Sequence, residues 1–98
     1  MDKHNLTGEQ IDELVKDFKA IGDGGRLKII LSLIGGKKSV GEIAVECGFS
    51  QSATSHALRI LKDAKILSLE KDGNVNYYYL ADEHVRTIIE MSIEHLDC

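Results

Sequence analysis

Proline is absent from this 98-residue chain, and cysteine occurs only twice. No stretch approaches the roughly 20 consecutive apolar residues that a membrane-spanning helix needs. Without proline, glycine and capping residues mark the element boundaries. Two cysteines, Cys47 and Cys98, do not make a disulfide framework, so each is read as a core residue, a metal ligand or a reactive thiol. Met1-Asp2-Lys3-His4 has neither the basic nor the apolar region of a signal peptide, and the expected location is the cytoplasm, with no membrane partner. Catalytic signatures are missing as well. No nucleophile stands with a base, and there is no phosphate-binding loop and no open metal position. The chain is therefore not read as an enzyme, and no small organic substrate is expected.

An overall basic charge is also lacking. The net charge is −4 at pH 7, which by itself does not favour a phosphate-binding protein. The distribution is more informative. Residues 26–38 carry four basic side chains and no acidic one, whereas residues 81–98 carry five acidic and one basic. The acid gathers at the two ends and leaves the middle neutral to basic, which permits nucleic-acid binding without requiring it.

The length suits one domain spanning residues 1–98, whose modest core would grow if two copies joined. Thr7-Gly8-Glu9-Gln10 has the form of a capping box, and Ile11, Leu14, Val15, Phe18 and Ile21 follow at helical spacing up to Gly22. A second helix opens at Gly24-Gly25 with Asp23 as its cap, and stops at Gly35-Gly36. Its expected buried stripe is Leu27, Ile30, Leu31 and Ile34. Ser39-Val40-Gly41-Glu42 is another capping box. It starts a third helix that buries Val40, Ile43, Ala44 and Cys47 and ends at Gly48. Ser50 caps a fourth, with Ala53, Ala57, Leu58 and Leu61 as its apolar face. The period then changes to two across Leu67–Lys71 and Val75–Tyr79, with Asp72-Gly73-Asn74 as a hairpin turn. Tyr77, Tyr78 and Tyr79 read as sheet packing. A last helix runs from about Asp82 to the end. The expected fold is mainly α with a β-hairpin wing.

The third and fourth helices, joined by Gly48-Phe49-Ser50, have the helix-turn-helix pattern. The second helix of such a pair puts its N-terminal residues on base edges in the major groove. Here these are Ser50, Gln51, Ser52, Thr54, Ser55 and His56, followed by Arg59, in a recognition helix over about residues 50–63. So many small hydroxyls are poor helix-interior material, and they make sense on a face that approaches DNA. Gln pairs bidentately with adenine, and hydroxyls reach bases or phosphates. His56 reads as a DNA contact or a capping partner. In the wing, about residues 67–80, Lys71 and Asn74 stand near the tip, within reach of backbone or minor groove.

Phe18-Lys19-Ala20-Ile21-Gly22-Asp23 with Arg26-Leu27-Lys28-Ile29, then Ser39–Ala44, Ser50–Leu58 with Leu61-Lys62, and Gly73–Leu80, resemble in unbroken order the ArsR/SmtB family of metal-sensing repressors. The resemblance covers about residues 10–98. It implies a winged helix-turn-helix homodimer, joined through its first and last helices, that binds operator DNA and releases it when an effector binds.

The last helix, about residues 82–98, has its own pattern. His84, Ile88, Met91, His95 and Cys98 repeat at intervals of four and three, a heptad stripe that should pack on another helix. His84 and His95 lie about 16 Å apart along a helix, too far to share an ion within one chain. An antiparallel partner helix would bring His84 of one chain beside His95 and Cys98 of the other, with Asp82 as a fourth ligand. Oxygen, nitrogen and sulfur donors in a set of four suit Zn(II), with Co(II), Cd(II) and Ni(II) as alternatives. The family resemblance implies the same positions. Its C-terminal-helix sensors carry Asp-x-His and a second His with ten residues between the two His, which Asp82, His84 and His95 match. Cys98 replaces the Glu or His found next in the family pattern, and a thiolate favours softer ions. The family's other, cysteine-based site at the third helix has no counterpart in Lys38–Glu42. Cys47 reads as core, and His4 as part of an N-terminal tail, with extension of a site from that arm as the alternative. Two other readings stand beside the metal sensor: a thiol switch using Cys98 and Cys47, and a DNA-binding regulator without an effector.

Overall fold

The computed structural model describes residues 5–98. His4 lies outside them. The elements are α1 (Gly8–Ile21), α2 (Gly24–Ser32), β1 (Lys38–Ser39), α3 (Val40–Cys47), α4 (Gln51–Asp63), β2 (Leu67–Asp72), β3 (Val75–Leu80) and α5 (Glu83–His95). The capping residues set most of these bounds. Thr7 and Ser39 each close a capping box, with Gln10 and Glu42 as the reciprocal side chains. Asp23 and Ser50 accept from the backbone N–H three residues on. Gly48 ends α3 in the left-handed conformation, with φ +73°.

Three strands form one antiparallel sheet in the order β1-β3-β2. Leu67 pairs with Leu80 and Asp72 with Val75, so the hairpin turns on Gly73-Asn74, with Gly73 at φ +62°. The wing therefore has a strand that sequence reading did not find. Lys38 and Ser39 pair with Tyr78 and Tyr77, and two residues are too few to show a period.

The core lies where α2, α3 and α4 meet the base of the sheet. Ile29, Ile30, Leu33, Ile43, Leu58, Leu61 and Leu67 are all but fully buried there. Two expectations about apolar faces are corrected. In α2 and the two residues after it, Ile29, Ile30 and Leu33 are buried, with Leu27 and Ile34 half-buried and Leu31 exposed. Apolar residues surround that short helix, so their spacing selects no single face. In α4 Ala53 is exposed, and the core takes Thr54, Leu58 and Leu61, which lie at i, i+4 and i+7.

Helices α1 and α5 each give little to this core. Ala20 is the buried residue of α1, and Val85 and Ile89 are those of α5. The stripe expected on α1 does lie on one side, but Ile11, Leu14, Val15 and Phe18 all face outward, with Phe18 58% exposed. On α5 and its cap, Ile88, Met91, Ile93 and Leu96 are exposed too.

Candidate functional site

The α3–α4 unit is built as a rigid corner. Phe49 N–H donates to Ala44 O at 3.0 Å, and Gly48 N–H to Val45 O at 3.3 Å, which satisfies the carbonyls left open at the end of α3. Ser50 Oγ then accepts from Ala53 N–H at 3.1 Å and starts α4. The Phe49 ring is half-buried and lies under Lys28, whose Nζ is 5.5 Å from the ring centre and 3.5 Å from Cys47 O. Lys28 thus joins α2 to the corner, a link that sequence reading missed because nothing in local spacing points to it.

Along α4, Gln51, Ser52, Ser55, His56 and Arg59 form an exposed polar face together with the cap Ser50. Thr54 does not belong with them. It is 0% exposed, and its Oγ1 donates to Ser50 O at 2.8 Å, so it packs in the core and cannot reach a base. A hydroxyl that bonds back to the carbonyl four residues earlier needs no other partner. The wing carries exposed Lys71 and Asn74 at its tip. At its base Lys37 bonds Glu70 at 2.6 Å and lies 5.3 Å from the centre of the Tyr77 ring. The hydrogen bond to Glu70 raises the Lys37 pKa above its ordinary value, so Lys37 is a cation at neutral pH.

At the start of the last helix, Asp82 caps α5. Its Oδ1 accepts from Val85 N–H at 2.9 Å, and that bond holds the carboxyl below its ordinary pKa. Its Oδ2 stands 3.7 Å from Nδ1 of His84, whose side chain is 94% exposed. His95 closes α5. Cys98 N–H donates to His95 O at 3.2 Å, and two turn residues, Leu96 and Asp97, carry the chain to an exposed Cys98. The helix is thus three residues shorter at this end than expected. The four ligand candidates lie two at each end of one helix, and Cys98 Sγ reaches back to Glu94 O at 3.9 Å. Among the described residues, no group of three or more His, Cys, Asp or Glu side chains comes together to hold a metal ion. Cys47 is buried in the core.

Residues 23–68, which include α2, the helix-turn-helix and the start of the wing, match the family described as "Bacterial regulatory protein, arsR family". A cadmium resistance transcriptional regulatory protein CadC homolog from Staphylococcus aureus is 37% identical over 95 residues, covering 95% of this chain and 78% of that protein. The chain belongs to the ArsR family. A transcriptional repressor SmtB homolog from Synechocystis sp. is 32% identical over 91 residues, covering 93% of this chain and 69% of that one. Among solved structures, the homodimeric winged helix-turn-helix DNA-binding domain of a possible ArsR-family regulator from Mycobacterium bovis matches with a TM-score of 0.87. It is 25% identical, over 95% of this chain and 89% of that domain. As a member of the ArsR family, the chain is a transcriptional regulator with a winged helix-turn-helix fold, and its chemistry is binding rather than catalysis.

Proposed function

We propose that this protein is a metal-responsive transcriptional repressor. It binds operator DNA as a homodimer and is released when a divalent transition metal, Zn(II) foremost, binds across the dimer interface. One observation carries the reading. Asp82 with His84 at one end, and His95 and Cys98 at the other, bracket a helix whose face between them is exposed and apolar.

An exposed apolar face on a small regulator is best explained by a partner. The neighbour from Mycobacterium bovis is a homodimer, which supports a second copy as that partner. In a two-fold dimer with antiparallel α5 helices, Asp82 and His84 of one protomer meet His95 and Cys98 of its partner, and symmetry gives two such sites. The donors fit a metal chemically. Asp82 spends one oxygen on the cap and keeps Oδ2 turned toward His84, and both side chains are open to solvent. Bound there, a divalent ion would supply a rigid cross-link between protomers. That CadC and SmtB homologs stand among the relatives supports a metal effector, with Co(II), Cd(II) and Ni(II) as further ions to compare.

The polar face of α4, with Ser50, Gln51, Ser52, Ser55, His56 and Arg59, reads the major groove. Lys71 and Asn74 hold the flanking backbone or minor groove. The spacing of two α4 helices must match the operator half-sites. Cross-linked α5 helices fix a spacing that matches poorly, so the apo and bound forms differ in operator affinity. Linkage demands the reverse too: operator DNA weakens metal binding by the same factor.

A Co(II) titration of the apo protein, read by absorption, tests the site without knowledge of the operator. The expected result is intense d–d bands that saturate at one ion per protomer, with a thiolate charge-transfer band lost on Cys98→Ser. The absence of any saturable spectrum would remove the metal. Regulation that survives replacement of both His84 and His95 but not of Cys98 would install the exposed thiol as the sensor instead.

A further inference from the structure

The two helices that carry the exposed apolar surface are each joined to α2 by an arginine. Arg26, on α2, donates through Nε to Ala20 O at 2.8 Å and through Nη2 to Lys19 O at 3.2 Å, which closes the C-terminal end of α1. Arg86, on α5, donates from Nη1 to Ile34 O at 2.9 Å, across 52 residues of sequence. Ile34 stands just past the end of α2, where carbonyls have no partner inside the helix and a cation is favoured. The guanidinium is half-buried. Glu83 at 3.9 Å and Glu90 at 3.8 Å flank it along α5. The acceptor is also close to the reading unit in sequence. Ile34 is followed by Gly35-Gly36, then β1, then Ser39, the residue that caps α3. Helix α2 itself packs on both α3 and α4.

We infer that Arg86 is a positioning residue that passes the orientation of α5 to the helix-turn-helix, by tying α5 to the C-terminal end of α2. The inference deepens the reading above, since it takes α5 as the effector helix, but the tie exists whatever α5 binds. Helix α5 is otherwise lightly seated, with Val85 and Ile89 as its buried anchors. A charge-assisted bond is short and directional. A turn of α5 on those two anchors must therefore carry the end of α2 with it or break the bond. Carrying α2 moves the segment that leads into α3. By the same path, seating α4 on DNA is felt at α5.

Hydrogen–deuterium exchange of the full chain tests this, with and without a DNA duplex that the wild-type protein has selected from a random pool. In the wild type, duplex binding shifts the exchange of α5 amides, although α5 carries none of the recognition residues. Arg86→Met keeps an unbranched apolar stem and removes the donors, and most of that shift is lost. Arg86→Lys, with one ammonium able to reach the same carbonyl, restores part of it. Duplex affinity with and without Zn(II) is the second readout. Zn(II) weakens duplex binding by a factor of about 5–150 in the wild type, and the factor falls toward one in Arg86→Met at unchanged Zn(II) stoichiometry. A purely structural role would lower thermal stability and duplex affinity alike and leave that ratio intact. An α5 response of wild-type size in Arg86→Met, or none in the wild type, overturns the tie. Failure of Zn(II) to bind the wild type defeats the metal reading alone, and the exchange experiment still decides the role of Arg86.

Discussion

Helices α4 and α5 are both 13 residues long and use their surfaces in opposite ways. Helix α4 buries Thr54, Leu58 and Leu61 and shows water a face of hydroxyls, amide, imidazole and guanidinium. Helix α5 buries only Val85 and Ile89, and it shows water Ile88, Met91 and Ile93 between two pairs of potential metal ligands. The first surface is complete in a single chain and still has polar groups to offer a nucleic acid. The second is satisfied only when something apolar covers it. On the function proposed above, binding specificity and assembly fall to different helices, and substitutions should separate them.

The largest expected effect comes from charging the α5 face. Ile88→Glu combined with Met91→Glu should leave the fold intact, because both side chains are exposed in one chain. A charge carried into an apolar interface costs several kcal/mol, so the dimer dissociation constant should rise roughly a hundredfold or more. Analytical ultracentrifugation reads the change, and metal stoichiometry should fall with it. An unchanged sedimentation coefficient would mean that this face does not join protomers.

A step smaller is the contrast inside α4 between neighbours. Thr54→Ala removes a buried hydroxyl and its methyl group, and urea unfolding should show a loss of about 1–3 kcal/mol. Ser55→Ala should leave stability within about 0.5 kcal/mol and lower operator affinity instead. Should the two substitutions exchange their effects, the face assignment of α4 would be wrong. Gln51→Ala belongs with Ser55. It should relax the preference at one base-pair position by roughly 1–3 kcal/mol, measured by competition among duplexes that differ at that position, with the thermal midpoint unmoved.

That contrast also marks what a one-dimensional reading can see. Caps, glycines and the change of period located the helices and the hairpin, because these signals are local. Family resemblance and the side-chain chemistry of α4 and α5 located the two candidate surfaces. Position along the chain does single out Thr54 over Ser55, at four and seven residues from Leu58 and Leu61, but a hydroxyl reads as polar until its bond to Ser50 O is seen. It could not reveal β1, whose two residues exist as a strand only against Tyr77 and Tyr78. Nor could it pair Arg86 with Ile34, a contact with no sequence signal at either end.

The smallest expected effect is on acid stability. Bonds from the Ser39 backbone and side chain hold the Glu42 carboxyl below its ordinary pKa, as the Val85 amide does for Asp82. A carboxylate with a lowered folded pKa stabilises the fold fully above its unfolded pKa, about 4. That contribution is lost as pH falls through the lower folded value. Glu42→Gln keeps a capping side chain but cannot titrate. The gap in urea midpoint between wild type and Glu42→Gln should therefore be widest at neutral pH and shrink on acidification. A gap that stays constant down to pH 3 would mean that Glu42 does not contribute through its charge.

Ser39 belongs to two elements at once. Its backbone pairs with Tyr77 in the sheet, and its side chain starts α3 by accepting from Glu42 N–H at 3.2 Å. Mechanically, the wing is a cantilever clamped at this residue, free at Gly73 and fixed to the very turn that launches α3. On the function proposed above, a load that DNA placed on the tip would reach the first helix of the reading unit as torque, so the wing would set the attitude of that unit on the double helix as well as grip the backbone beside it.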